Sequence, residues 1–410
     1  MGNPGLKKKI LMFADANFLA HTSRLLEIAK ILRDERGYEI LFFGDGLYLD
    51  FVRQSGFETE HTYSIPKKTT LKLAERSGLM NPFWWYKTVN RMIRSDVAIL
   101  KRHRPDIVVG DRRWSLRAAA HEKGVPFVSV VNGAWTRYLD HRIEAFDDHL
   151  LTTLLGHTLA TSVFPVFKKV MLAFWAFPFR IWRSRGGHHI AMNSLADMFE
   201  GDLTLLADVP QFCPTTSLPD CVKYVGPILW NAPMPLPAWF KQLDPNRRTI
   251  YVSMGSSGKK EFFSLCHEAF LGSDYQVLMT TGEIDFSVDE ATENFHVIDF
   301  APGAALMRHS DVVICHGGNG TIYQALANGT PIIGIPTHID QQLQMQLCER
   351  WDVGVKLRQK GITAENIRRA VDSIMENPSY RTNAESFQKA VSAYDGAKQA
   401  AYEIEKFLGR

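Results

Sequence analysis

Cysteine is scarce: the 410 residues include five cysteines (Cys213, Cys221, Cys266, Cys315 and Cys348), scattered and never in a C-x-x-C pair. A disulfide framework and a zinc ribbon are both excluded, and reduced thiols in a cytoplasmic protein fit the count. Net charge is also small, with 47 Lys and Arg against 44 Asp and Glu giving +3. A dedicated nucleic-acid binder would show a basic stripe and a much larger excess. The apolar run near the start, Ile10 to Phe13, is too short for a signal segment, and no small-residue cleavage pattern follows it. Leu6 stands where an N-myristoylation motif wants Ser or Thr. There is no Walker loop and no G-x-S-x-G elbow, and GDGLYLD (44–50) lacks the third glycine of a dinucleotide fingerprint. His188 and His189 have no companion ligands at metal spacing, so no metal and no resident cofactor are expected.

One local absence is sharper. Residues 149–196 contain no Asp or Glu but hold Lys168, Lys169, Arg180, Arg183 and Arg185 among crowded aliphatics and aromatics. Pro165, Pro178 and the cations are expected to interrupt every run that would reach the ~20 residues of a membrane span. Three readings stay open: core-packing helices with a basic rim, an apolar mouth for an acceptor molecule, or a face for anionic lipid over 149–185.

What is present is a repeated alternation of strands and helices, the pattern of a parallel sheet flanked by helices. Residues 8–14 read as a strand, 22–36 as an amphipathic helix, YEILFFG as a strand, PDIVVGD (105–111) as a strand, SLRAAAHEKG as a helix and VPFVSVV as a strand. The pattern restarts at RTIYVSMGSS and continues through YQVLMTTG, FHVIDF, SDVVICHGG and PIIGIP. Between the halves, five prolines from Pro227 to Pro245 mark a stiff connector. The expected architecture is α/β, two Rossmann-like doubly wound domains facing a cleft. The expected boundaries are 1–225, a linker over 226–246, 247–390, and a C-terminal helix over 391–410. Ligands in such sheets bind outside the carboxyl ends of the strands.

The stretch ICHGGNGTIYQALANGTPIIGIPTHIDQQ (314–342) carries the densest polar signal. Glycines in a strand-to-helix turn let backbone approach a ligand, and amides at a helix start favour phosphate. His316 adds an imidazole donor that can charge, and Thr321 a hydroxyl. The residues alone imply an anion held by His316 and the amides from Gly317 to Thr321.

These residues resemble the signature of family-one glycosyltransferases, of the bacterial type that modifies small molecules such as macrolide antibiotics. Its pattern runs H-x-G-x-x-S/T-x-x-E, then G-x-P, then P-x-x-x-D-Q. His316, Gly318, Thr321, Gly329, Pro331, Pro336, Asp340 and Gln341 fall on it in register. YVSMGSS (251–257) is similar to the family's first carboxy-domain strand and serine turn, and FAPGAALMRHSDVVI to the segment flanking the nucleobase.

The resemblance implies a GT-B enzyme using a UDP- or dTDP-sugar, with the C-terminal helix (391–410) packing back on the first domain. It places Gly318, Asn319, Gly320, Thr321 and His316 on the diphosphate and Ser256 by the phosphates or base. Phe300 and Ala301 fall at the nucleobase, and Asp340 and Gln341 on sugar hydroxyls. Gln324 stands where relatives carry a ribose-binding glutamate, and Gly303 where they often carry a glutamine. In the first half the family's base is a histidine after the first strand, which here is His21, with Asp111 as its carboxylate partner. Ala20 and Arg24 depart from the usual glycine and proline around it. Asn132, at another strand end, is a candidate sugar or phosphate contact. The implied activity is inverting, metal-independent transfer to a hydroxyl of a lipophilic acceptor. The rivals are a sugar-nucleotide epimerase of similar build and a non-catalytic sugar-nucleotide or lipid binder.

Overall fold

The computed structural model describes residues 7–75, 81–147, 149–232, 234–255, 258–282, 284–288 and 294–409. The chain divides into two compact units. One comprises Met1–Arg142, Thr158–Ile228 and Tyr394–Arg410, the other Ile143–His157 and Leu229–Ala393.

In the first unit seven strands are β1 (Lys9–Ala14), β2 (Glu39–Gly44), β3 (Glu58–His61), β4 (Ile107–Asp111), β5 (Phe127–Val131), β6 (Leu203–Leu206) and β7 (Val222–Tyr224). They lie in the order β3-β2-β1-β4-β5-β6-β7 and every pairing is parallel. Such a sheet is covered on both faces, and β1 shows why its residues are apolar throughout. Ile10, Met12 and Ala14 point into one layer with Leu25, Ile28, Leu32, Ala400 and Ile404. Leu11 and Phe13 point into the other with Ile99, Leu100, Leu116 and Ala119. The two-residue period of a strand thus feeds two cores at once. The final helix, Gly396–Leu408, lends Ala400, Ala401 and Ile404 to the first of them.

The second unit holds β8 (Thr249–Ser253), β9 (Gln276–Thr280), β10 (Phe295–Ile298), β11 (Val312–Cys315), β12 (Ile332–Gly334) and β13 (Gly354–Lys356). Their order is β10-β9-β8-β11-β12-β13, again wholly parallel. Helices Lys260–Phe270 and Ala364–Glu376 bury Phe262, Phe263, Cys266, Ile367 and Val371 against one face. In both sheets the strand order reverses beside the first strand, at β1/β4 and β8/β11, the switch point where ligands of doubly wound sheets bind.

Three features depart from the sequence expectations. Residues 143–157, assigned by sequence to the first domain, pack with the second unit. Gln342 accepts from the Asp147 amide (2.7 Å) and donates to its carbonyl (3.2 Å); Gln346 does the same at Glu144 (3.1 Å both ways). Lys356 adds an ion pair to Asp147 at 2.9 Å. The proline-rich stretch is no bare connector either: Trp239 stacks on His296 with ring centroids 4.8 Å apart, and Phe240 packs on His309 at 5.4 Å. Pro165 does not interrupt the run around it. It lies inside the helix His157–Trp175, which is long and apolar enough to cross a membrane by length and composition.

Candidate active site

At the first switch point β1 ends at Ala14, beside Asp111 at the end of β4. The helix Leu19–Asp34 starts just after β1, and His21 lies in its first turn. His21 Nδ1 stands 2.8 Å from Asp111 Oδ1, and both residues are buried. Arg24, one turn on, donates through Nε to Asp111 Oδ2 (2.8 Å) and through Nη2 to Oδ1 (2.9 Å). Its Nη1 donates to Asn132 Oδ1 at 2.9 Å, so one guanidinium joins the ends of β4 and β5.

Burial by itself would push the Asp111 carboxyl up, but the charges and hydrogen bonds of Arg24 and His21 hold it below its ordinary value. An ionised Asp111 can only accept, so the 2.8 Å contact favours a proton on His21 Nδ1, with Arg24 Nη2, 3.1 Å from the same nitrogen, donating to Asp111 Oδ1 instead. The ring's Nε2 then carries the lone pair, and it has no hydrogen-bond partner among the described residues. The side-chain nitrogen of Asn132 is buried and also unpartnered. After Asp111 the chain turns sharply, with Arg112 in the left-handed region at φ 56, a conformation costing ~1–3 kcal/mol outside glycine. The Arg112 guanidinium rests 4.6 Å from the centre of the Trp135 ring.

At the second switch point β11 ends at Cys315 and the next residue is His316. Its ring is wedged between glycines. A Cβ on Gly318 would lie 2.4 Å from Nε2, and one on Gly255 would lie 2.4 Å from Cε1. Gly255 also has φ +55 and Gly317 φ +78, which other residues rarely adopt. Among the described residues His316 Nδ1 is buried without a partner. Burial, reinforced by His338 and only partly offset by Asp340, drives its pKa down to about 3. The sequence suggested an imidazole that could charge; in the folded unit it is held neutral.

The following helix, Asn319–Ala327, has extended Gly318 as its N-cap and no side chain capping it. Asn319, Gly320 and Thr321 therefore form its first turn, where backbone N–H groups point outward along the axis. Asn319 donates to Gln344 Oε1 at 3.4 Å, while the Gln344 amide nitrogen is buried with no partner among the described residues. Two unsatisfied buried side-chain atoms beside an uncapped helix start suit an acceptor-rich, anionic ligand.

The remaining sequence candidates fall as follows. Asp340 lies in the first turn of the helix Ile339–Arg350, whose N-cap is His338. Gln341 is buried, and its Oε1 accepts from the Thr337 amide (2.8 Å) and hydroxyl (3.0 Å), so its carbonyl end holds the loop rather than facing outward. Phe300 and Ala301 sit between β10 and the helix Gly303–Arg308, with Ala301 buried. Gln324 donates to the Trp230 carbonyl at 2.5 Å, and its Oε1 faces Gly303. The two departures from the family pattern are thus neighbours. Ser256 lies outside the described residues.

Arg24, Gly255 and Gln344 were not among the site residues read from sequence. In the sequence Arg24 stands out only as an unusual neighbour of His21, and nothing local marks it as a partner of Asp111. The arginine shares a helix face with His21 at a spacing of three, which was the one available hint.

Two parallel sheets in Rossmann order, each with a polar cluster at its switch point, are the build of a GT-B glycosyltransferase. Residues 249–400 match the Glycosyltransferase family 28 C-terminal domain. Over 386 residues the chain is 31% identical to a PGL/p-HBAD biosynthesis rhamnosyltransferase of Mycobacterium bovis, covering 93% of this chain and 84% of the relative. The fold is shared with the calicheamicin glycosyltransferase (TM-score 0.73, 19% identity, 99% of each chain). It is shared too with a spinosyn rhamnosyltransferase solved with thymidine diphosphate (TM-score 0.69, 15% identity, 97% of this chain and 100% of that one). The chain belongs to the glycosyltransferase family of the mycobacterial PGL/p-HBAD enzymes.

Proposed function

We propose that this glycosyltransferase works by a single inverting displacement, without a metal, moving a sugar from a nucleoside diphosphate to a hydroxyl of a lipophilic acceptor. The observation that carries the reading is the 2.8 Å contact between His21 Nδ1 and Asp111, which leaves Nε2 as the basic nitrogen. Nε2 takes the proton of the acceptor hydroxyl as that oxygen attacks the anomeric carbon. Asp111 fixes the tautomer and balances the imidazolium that forms. The bond from the anomeric carbon to the diphosphate breaks on the opposite face. The leaving diphosphate meets the first-turn amides of Asn319–Ala327 and a neutral His316, which donates a hydrogen bond rather than supplying a charge.

Asp340 is the residue we assign to sugar hydroxyls, Phe300 and Ala301 to the base, and Asn132 to the sugar or phosphate. A thymidine-diphosphate donor agrees with the spinosyn neighbour, and a deoxysugar donor with the rhamnosyltransferase relative. The lipophilic acceptor rests on the apolar composition of residues 149–185, part of which packs into the buried aromatic core of the first unit. There Trp85, Trp114 and Trp175 lie with ring centroids 5.1 to 5.5 Å apart, and Phe199 packs on Trp114.

The test is nucleoside diphosphate release from dTDP- and UDP-sugars against a panel of phenolic and aliphatic alcohols. Acceptor-dependent release is expected, with His21→Ala slowing it ~10²–10⁴-fold while nucleotide binding is kept. Release without an acceptor requirement, or full activity in His21→Ala, would overturn the reading.

A further inference from the structure

The helix His157–Trp175 is apolar on two opposite sides, and only one of them is used. Ala160, Phe164 and Trp175 are buried in the first unit. On the other side Leu159 (53% exposed), Val163 (38%), Val166 (68%) and Val170 (64%) stand open to solvent. Their spacing of four, three and four residues puts all four within one narrow strip of the helix surface. Scattered exposed leucines need no explanation, but an aligned row of β-branched and aliphatic side chains on one helix does.

Charge identifies what would cover the strip. From 149 to 196 the chain has five Lys or Arg and no Asp or Glu, so this segment carries +5 while the whole protein carries +3. Lys169 flanks the strip on the same helix, and Arg180 is fastened to the helix end by donating to the Ala173 carbonyl at 3.0 Å. Arg183 donates to the Ile190 carbonyl and to Asn193, and Arg185 to the Tyr86 hydroxyl. All of these acceptors are neutral, so the positive charges are not compensated. Among the described residues none of Lys169, Arg180, Arg183 and Arg185 is paired with a carboxylate.

We infer that this face docks the enzyme on an anionic lipid bilayer. The strip would lie in the headgroup–acyl boundary, with the cations against the lipid charges. The helix lies along the surface rather than through it, because its opposite side is already committed to Ala160, Phe164 and Trp175 in the core. The inference does not depend on the transfer chemistry, since vesicle binding is read without donor or acceptor.

Flotation of the full chain with extruded phosphatidylcholine vesicles, with and without phosphatidylglycerol, tests it. Wild-type protein should float with the phosphatidylglycerol vesicles and lose most of that binding in high salt. Val166→Glu/Val170→Glu should weaken partitioning at least ~10-fold, and Lys169→Gln about fivefold on anionic vesicles alone. The variants should keep the wild-type melting temperature and nucleotide affinity, which separates lost docking from lost folding. Three results would overturn the proposal: no vesicle binding, binding that ignores the Val→Glu changes, or a wild-type dimer that these changes dissolve.

Discussion

Arg24 gives two hydrogen bonds to Asp111 and a third to Asn132, from the same helix that carries His21. Asp111 is fully buried, and its charge is tolerable because the guanidinium faces it in a two-pronged geometry with His21 on its other side. Removing the arginine should therefore cost more than the pair contributes, because the carboxylate would be left inside without its guanidinium. Arg24→Ala is expected to lose roughly 3–5 kcal/mol in urea denaturation. Arg24→Lys should recover part of the stability but not the Asn132 contact.

A second residue-scale consequence concerns acid. The His316 pKa falls from 6.5 to about 3 in the fold, so between those values the unfolded chain binds the proton and the folded one does not. Stability contributed by the neutral ring is complete above about 6.5 and is lost as pH falls toward about 3. Melting temperatures of wild type and His316→Gln over that range should converge as the pH drops; parallel curves would show the ring is not held neutral.

Elements explain how these residues reach their places. The strand-to-helix turn of β11 works because Gly255 and Gly318 leave room for the imidazole, and because Gly318 is extended just where the helix begins. Gly318→Ala puts a methyl group 2.4 Å from His316 Nε2 and must push either the ring or the helix start aside. Nucleoside diphosphate affinity, measured by calorimetry, should fall ~10-fold or more while the melting temperature changes little. Unchanged affinity would separate this turn from the nucleotide.

Such elements were legible from the sequence because apolar β-branched runs and turn glycines are local signals. The side-chain assignments were less so. Gln341 sits in register with a sugar-binding motif, yet its carbonyl oxygen is spent on Thr337. The Arg24–Asp111 bond joins positions 87 apart, which no local pattern records.

For the molecule as a whole, chain order and folding unit do not coincide. Residues 143–157 join the second unit through Gln342 and Gln346, and the last helix returns to the first unit through Ala400, Ala401 and Ile404. Alternation of strands and helices announced two sheets, and the family resemblance announced the return of the last helix, but the crossing at 143–157 leaves no compositional boundary because it depends on Gln342 and Gln346 far away in sequence. What the two sheets share is a polar cluster at the switch point. The first holds the buried His21–Asp111 pair, and the second an uncapped helix start beside an imidazole held neutral by burial.

The proposed function requires one displacement at the anomeric carbon and no covalent glycosyl-enzyme. The most direct measurement is the anomeric configuration of the product, followed by proton NMR from a donor of defined anomer. Inversion, present from the first turnover and unchanged by a metal chelator, is the predicted result. A product that keeps the donor's configuration would contradict the account.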